Sequence, residues 1–313
     1  MSVPMPLLIS NLVGLFLLMA VGALAVRLKV VPLSITGQLS HLLMSVMTPA
    51  IIFRSMLQPF SQEFLRDSAV IFAAGCGLYL LSIGAALVLG KVFRVTPGRR
   101  GLWALCVAFP NNGFMGFPII QALLGDTALA LAAIMGMPFN IFLYTLGVRV
   151  LLSDREGESG GGVSLRKILL TPVNVATVLG LAAFLLQIPV PDAIYTPISY
   201  LADMATPMSM LIIGMGLTRC SASQVVRDRD VLAAGLSKLV LLPLLVFLAL
   251  KVIPFGNELI APVVLITVAM PTAAIVSALG EQHGLNTDLA VEISFLTGLL
   301  CILTVPLMLS LPL

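Results

Sequence analysis

The chain repeats itself at an offset of about 160 residues, and this constrains its fold more than any single motif does. Thr48-Pro49 returns as Thr206-Pro207, 158 residues on. Lys91-Val92-Phe93 returns as Lys251-Val252-Ile253 at 160, and Val107-Ala108-Phe109-Pro110 returns as Val268-Ala269-Met270-Pro271 at 161. The matches keep their order and fall on corresponding apolar segments. Those segments occupy 7–28, 39–57, 68–93, 102–123 and 128–152, then, after a polar stretch at 153–167, 168–188, 195–217, 231–253, 259–280 and 287–311. The expected fold is therefore an all-α polytopic membrane protein, with ten transmembrane helices in a 5+5 inverted repeat. An odd number of crossings per unit turns the second copy upside down in the bilayer. Inverted repeats are the architecture of secondary transporters, with the ligand site near the midplane where the copies meet.

Composition supports the membrane reading. Hydrophobic residues make up 59% and charged residues 10% of the chain, and mean hydropathy is +1.11; soluble domains carry roughly 25% charge. Each segment is close to the ~20 residues that a helix needs to cross the hydrocarbon core. The short alternating strands of a membrane β-barrel are missing. The net charge of +3 carries no nucleic-acid signal, because the basic residues are sorted by loop. With the N-terminus outside, thirteen of the 17 Lys and Arg residues fall on the cytoplasmic side and three outside, which is a strong positive-inside bias. Both termini are thus expected in the periplasm of a bacterial inner membrane. Residues 1–152 and 168–313 form the two repeats, joined by a cytoplasmic linker at 153–167. The first segment is too long for a cleaved leader and lacks its basic start, so it is taken as a span. The four cysteines show no CxxC spacing, and neither a metal site nor a cofactor is expected.

The fourth segment holds Phe109-Pro110-Asn111-Asn112-Gly113-Phe114-Met115-Gly116-Phe117-Pro118. Each proline removes a backbone donor and clashes with the preceding turn, at a cost of about 3 kcal/mol or more. Such a break is tolerated at membrane depth only where it is buried in protein or lines a wet cavity. The ninth segment has the milder counterpart Met270-Pro271-Thr272-Ala273-Ala274. Pro110, Pro118 and Pro271 are the expected helix breakers, on two helices that cross. Asn111, Asn112, Gly113, Pro271 and Thr272 are the expected substrate contacts. The positive N-terminal ends of the resumed half-helices suit an anionic group.

The Pro-Asn-Asn-Gly-Phe-Met-Gly-Phe-Pro string, the ten segments and the matching proline on the ninth resemble the auxin efflux carrier family, over essentially the whole chain. That family holds plant auxin exporters and bacterial permeases assigned to malonate and malate. The resemblance implies a scaffold of spans 1, 2, 6 and 7 and a transport domain of spans 3–5 and 8–10. It also implies a crossover of spans 4 and 9, a homodimer and elevator-type alternating access. It adds Asn140 and Tyr144, on the span after the crossover, to the site. The plant carriers' long hydrophilic loop is absent here, and the match does not make auxin the substrate.

Ionisable residues at membrane depth are functional candidates by default. Lys238, two turns into the eighth span, is a candidate anion-binding or proton-carrying group, against snorkelling to the interface. Asp203 and Glu292 are candidate coupling residues, Glu292 for protons. His41 and Arg54 are expected as interface anchors, and Asn11 and Asn174 as caps opening the first span of each repeat. The function expected is secondary transport or uniport of small organic anions: mono- or dicarboxylates such as malonate or malate, or auxin-like acids. The alternative is a sodium-coupled carrier of larger amphipathic anions, of the bile-acid symporter type; the crossover offers Asn111, Asn112 and Thr272 with no acid adjacent. An intramembrane enzyme would need HExxH, GxSxG or paired intramembrane aspartates, and none occurs.

Overall fold

The computed structural model describes residues 5–153, 170–218 and 225–310. Most of the linker expected at 153–167 therefore lies outside the described residues. Secondary structure among the described residues is helical apart from one isolated β-bridge. The first half comprises α1 (Met5–Arg27), α2 (Thr36–Leu42), α3 (Thr48–Met56), α4 (Gln62–Val92), α5 (Arg100–Ala108), α6 (Phe117–Phe142) and the short α7 (Val148–Leu151). The second comprises α8 (Pro172–Leu186), α9 (Asp192–Gly216), α10 (Arg229–Leu236), α11 (Leu242–Val252), α12 (Ile260–Ala269), α13 (Ile275–Gln282) and α14 (Asp288–Leu309).

Among the described residues, six helical stretches are long and apolar enough to cross a membrane: Leu33–Met56, Gln62–Val92, Asn112–Leu151, Asp192–Gly216, Arg229–Val252 and Asp288–Met308. Shorter apolar helices cover Val13–Arg27, Pro172–Leu186 and Ile260–Ala269. The stretch Asn112–Leu151 is not one rod. Its 40 residues would reach about 60 Å as a straight helix, twice the hydrocarbon thickness. Gly125 breaks it, at φ 83° and ψ −173°, a backbone conformation that side chains disfavour. The Phe117 ring lies 3.5 Å from the position of a Cβ on Gly136, although a straight helix would hold these residues some 28 Å apart. The chain therefore doubles back at Gly125.

Left-handed backbone recurs at the repeat distance. Lys29 and Gln187, which follow α1 and α8, both have positive φ and stand 158 residues apart. Gly125 and Gly284, which follow the resumed halves of the broken segments, do the same at 159.

The third apolar segment, expected from residue 68, starts earlier as helix α4 at Gln62. Ser61 caps it by accepting from the Phe64 N–H. Asp67, which broke the apolar run in the sequence, is buried in the helix and accepts from Asn257 Nδ2. Two packing groups emerge. In one, α1 lies along α9, and α3 packs on both α8 and α9. In the other, α4 packs on α5 and α6, and α14 packs on α10 and α12. α6 also touches α3 and α8 and so lies between the groups. The α1–α9 seam is backbone against backbone: a Cβ on Gly214 would stand 1.8 Å from the Met19 carbonyl oxygen, and one on Gly22 would stand 2.2 Å from that of Leu211.

Candidate functional site

The two proline-containing breaks lie side by side, for a local reason. A residue before proline is pushed out of helical geometry. Phe109, before Pro110, is extended at φ −102°, ψ 113° and ends α5. Met270, before Pro271, is extended at φ −65°, ψ 150° and ends α12. The two extended pieces pair antiparallel through a bridge between Pro110 and Thr272. Asn111 N–H donates to the Pro271 carbonyl at 2.8 Å, and Ala273 N–H donates to that of Phe109 at 3.0 Å. This pairing satisfies backbone groups that the prolines took out of the helices.

Past the crossing the chain resumes as helix through a π-turn, Asn112–Gly116, in which Phe117 N–H donates to the Asn112 carbonyl. Asn111 caps it, its Oδ1 accepting from Phe114 N–H. Further π-turns occur at Leu43–Met47, Leu143–Gly147 and Ser237–Leu241. The turns at Leu43–Met47, Asn112–Gly116 and Leu143–Gly147 border one cavity of about 180 Å³, whose wall includes Ser45, Asn111, Asn112, Gly113, Asn140 and Tyr144. Pro110 also lines it. π-Turns widen a helix locally and collect at functional sites.

The cavity's amides are held in place. Asn112 donates through Nδ2 to the Tyr79 hydroxyl at 2.9 Å. Its Oδ1 is buried without a hydrogen-bond partner among the described residues. Tyr79 is itself fully buried, stacked on Phe109 and edge-on to Phe139. Asn140 donates to Asn174 Oδ1 at 3.0 Å. The expected cap at Asn174 is corrected: Thr171 caps α8, accepting from the Asn174 N–H, which leaves the Asn174 side chain to face Asn140.

A second cavity, of about 230 Å³, lies across the crossing and shares Asn111, Phe114 and Ala274 with the first. Pro271, Thr272, Ser277, Glu281 and Ser294 line it. Thr272 is 2% exposed and doubly tied. Its hydroxyl donates to the Cys106 carbonyl at 2.8 Å, and its N–H donates to Thr297 Oγ1 at 3.2 Å.

The other sequence candidates sit apart. Pro118 is buried in the first turn of α6. Asp203 is exposed on α9 and paired with Arg54 at 2.6 Å. Glu292 lines a third cavity, of about 500 Å³, with Arg99, Asp228 and Asp288. There Arg99 bonds Asp228 at 2.9 Å and Asp230 at 3.3 Å. Burial pushes the Asp228 carboxyl up, but the Arg99 guanidinium and the N–H groups of Asp230 and Val231 outweigh it and hold it below the usual carboxylate range. Lys238 is fully buried in the fourth π-turn and lines none of these cavities. The sequence reading did not select Tyr79, Thr297 or Ser294. The signal of Tyr79 and Thr297 lies in partners 33 and 25 residues away in the chain.

The chain matches the profile of the family described as "Membrane transport protein" over residues 7–309. A protein of Rhizobium meliloti (strain 1021) named "Putative malonate transporter" is 24% identical over 294 residues, covering 93% of this chain and 91% of its own length. An "Uncharacterized transporter" of Methanothermobacter thermautotrophicus is 28% identical over 225 residues, covering 70% of this chain and 72% of its own.

Proposed function

The chain belongs to the membrane transport protein family, that of the auxin efflux carriers, and from that premise we propose that it is a secondary carrier of small organic anions, mono- or dicarboxylates of about malonate's size. The observation that carries this reading is the antiparallel crossing of Pro110 and Thr272, with a small amide-walled cavity beside it. The family makes the chain a multi-pass membrane transporter; the substrate, the coupling and the mode of movement are our reading. The relative named for malonate supports the substrate class.

Cavity size favours this reading over its alternative. A cavity of about 150 Å³ accommodates benzene, and drug-sized ligands occupy about 300–1,000 Å³. Cavities of about 180 and 230 Å³ suit an acid of a few heavy atoms better than a steroid-sized amphiphile. In the proposed site Asn111, Asn112, Gly113, Asn140 and Tyr144 receive the substrate in the first cavity, and Pro271 and Thr272 hold the crossing from the side of the second. The helix resuming at Asn112 contributes the positive end of its dipole.

The repeated left-handed positions and the pairing of corresponding prolines' neighbours support the ten-span inverted repeat. The packing of α1, α3, α8 and α9 on one another supports a scaffold against which the remaining helices move as an elevator. A homodimer in the bacterial inner membrane with both termini periplasmic, and proton coupling through Glu292, complete the proposal. Purified protein in liposomes should take up labelled malonate, malate, acetate or indole-3-acetate, and imposed pH and sodium gradients identify the coupling ion. Uptake confined to bile-acid-sized substrates, or strictly sodium-dependent, would overturn the reading in favour of the larger-anion alternative.

A further inference from the structure

Three charged side chains are buried among the described residues: Asp67, Asp230 and Lys238. Asp67 is held by Asn257, and Asp230 by Arg99. Lys238 alone of the three has no hydrogen-bond partner for its charged group. It is 0% exposed, so it does not snorkel to an interface. Its π-turn packs against α5, α12 and α14, the helices that carry Cys106, the end of the second break and Thr297. The Cys106 carbonyl receives the Thr272 hydroxyl, and Thr272 N–H reaches Thr297. The turn that carries Lys238 therefore packs on the helices that lead into both breaks, and the two cavities share the Asn111 and Ala274 wall at those breaks. The C-terminal ends of α5 and α12, with their partial negative charge, also meet there.

We propose that Lys238 is the fixed counter-charge of this carrier: its ammonium, held on that π-turn, balances an organic anion seated at the crossing, so that anion binding needs no metal cation. The inference rests on the anion-carrier reading above and assigns that site its charge partner. A buried charge with no partner is unfavourable, and an anion brought into the same low-dielectric region offsets that cost. The side chain acts across the crossing and touches no part of the cavity wall, so it is a positioning and selectivity group, distinct from the contact residues.

The test uses purified full-length protein, wild type, Lys238→Met and Lys238→Arg, in liposomes with N-methylglucamine as the sole cation. The probe is whichever acid of the malonate, malate, acetate and indole-3-acetate panel the wild type moves. Removing an unpaired buried charge should leave the melting temperature of Lys238→Met equal to or above that of the wild type. Its half-saturation concentration should nevertheless rise at least tenfold, or uptake should vanish, while Lys238→Arg stays within tenfold of wild type. Unchanged uptake by Lys238→Met overturns the proposal. A lower melting temperature for Lys238→Met, or an equal loss in Lys238→Arg, assigns Lys238 a structural or shape role and also overturns it. Absence of uptake by the wild type is a different failure: it overturns the anion-carrier reading itself, and the counter-charge with it.

Discussion

The two breaks occupy corresponding places in the repeat and have been given different chemistry. At the first, Asn111, Asn112 and Gly113 border a cavity, and helix resumes through a widened turn. At the second, Thr272 is sunk to 2% exposure and tied to Cys106 and Thr297. Both breaks border open space, but the polar side chain of the second is anchored into the bundle. The crossing itself is shared, two backbone hydrogen bonds holding the pieces together. A duplicated fold can thus keep its backbone solution while one copy specialises in recognition and the other in support.

The largest effect expected from this division is on the recognising side. Asn140→Ala removes an amide from the first cavity's wall, and a hydrogen bond to a charged group contributes about 1.5–3 kcal/mol. Half-saturation for the transported acid should rise by one to two decades in a protein that still folds, with some loss of melting temperature from the missing bond to Asn174. Unaltered half-saturation would move the recognising surface off this cavity. On the supporting side, Thr272→Val keeps the shape and deletes the hydroxyl, leaving the buried Cys106 carbonyl without that donor. An orphaned buried acceptor costs about 1–3 kcal/mol, so thermal stability should fall while half-saturation moves less than threefold. The reverse pattern would exchange the roles of the two breaks.

Tyr79→Phe sharpens the comparison further, because it removes only the hydroxyl that accepts from Asn112. It should cost about 1 kcal/mol, read as a modest rise in half-saturation that Tyr79→Phe no longer adds once Asn112 is replaced by alanine. Additive losses in the double variant would show that the pair does not act as a unit. The smallest effect lies away from both breaks, at Asp228. Its carboxyl is held below its ordinary value of 3.8, so its contribution to stability is present above that pH and is lost as pH falls through the lower native value. Asp228→Asn should flatten the acid limb of a melting-temperature profile slightly and leave neutral-pH uptake alone. A steeper acid limb would contradict the assignment.

Much of this architecture was legible in the chain. Proline and its preceding residue have steric requirements that do not depend on context, so Phe109-Pro110 and Met270-Pro271 declared the breaks before any coordinates. The membrane class followed from hydropathy, because lipid demands unbroken apolar runs. Charge within a run misled by a turn at α4: a buried aspartate is acceptable once Asn257, 190 residues away, meets it. The capping assignment at Asn174 failed similarly, since Thr171 three residues earlier does that work and frees the amide for Asn140.

What the sequence determined by itself was local and steric: where helices must stop, that the chain must turn between the segments ending at 123 and starting at 128, and which segments must sit in lipid. Tertiary structure decided which polar groups are already spent. Asn112 and Asn140 look alike in sequence; their partners, Tyr79 and Asn174, come from two different helices and set which way each amide is held. Burial decided likewise for Lys238, where a lysine two turns inside a span could equally reach the interface or stay at depth. Only packing from α5, α12 and α14 closes the first route, because side-chain environment depends on contacts between segments far apart in the chain.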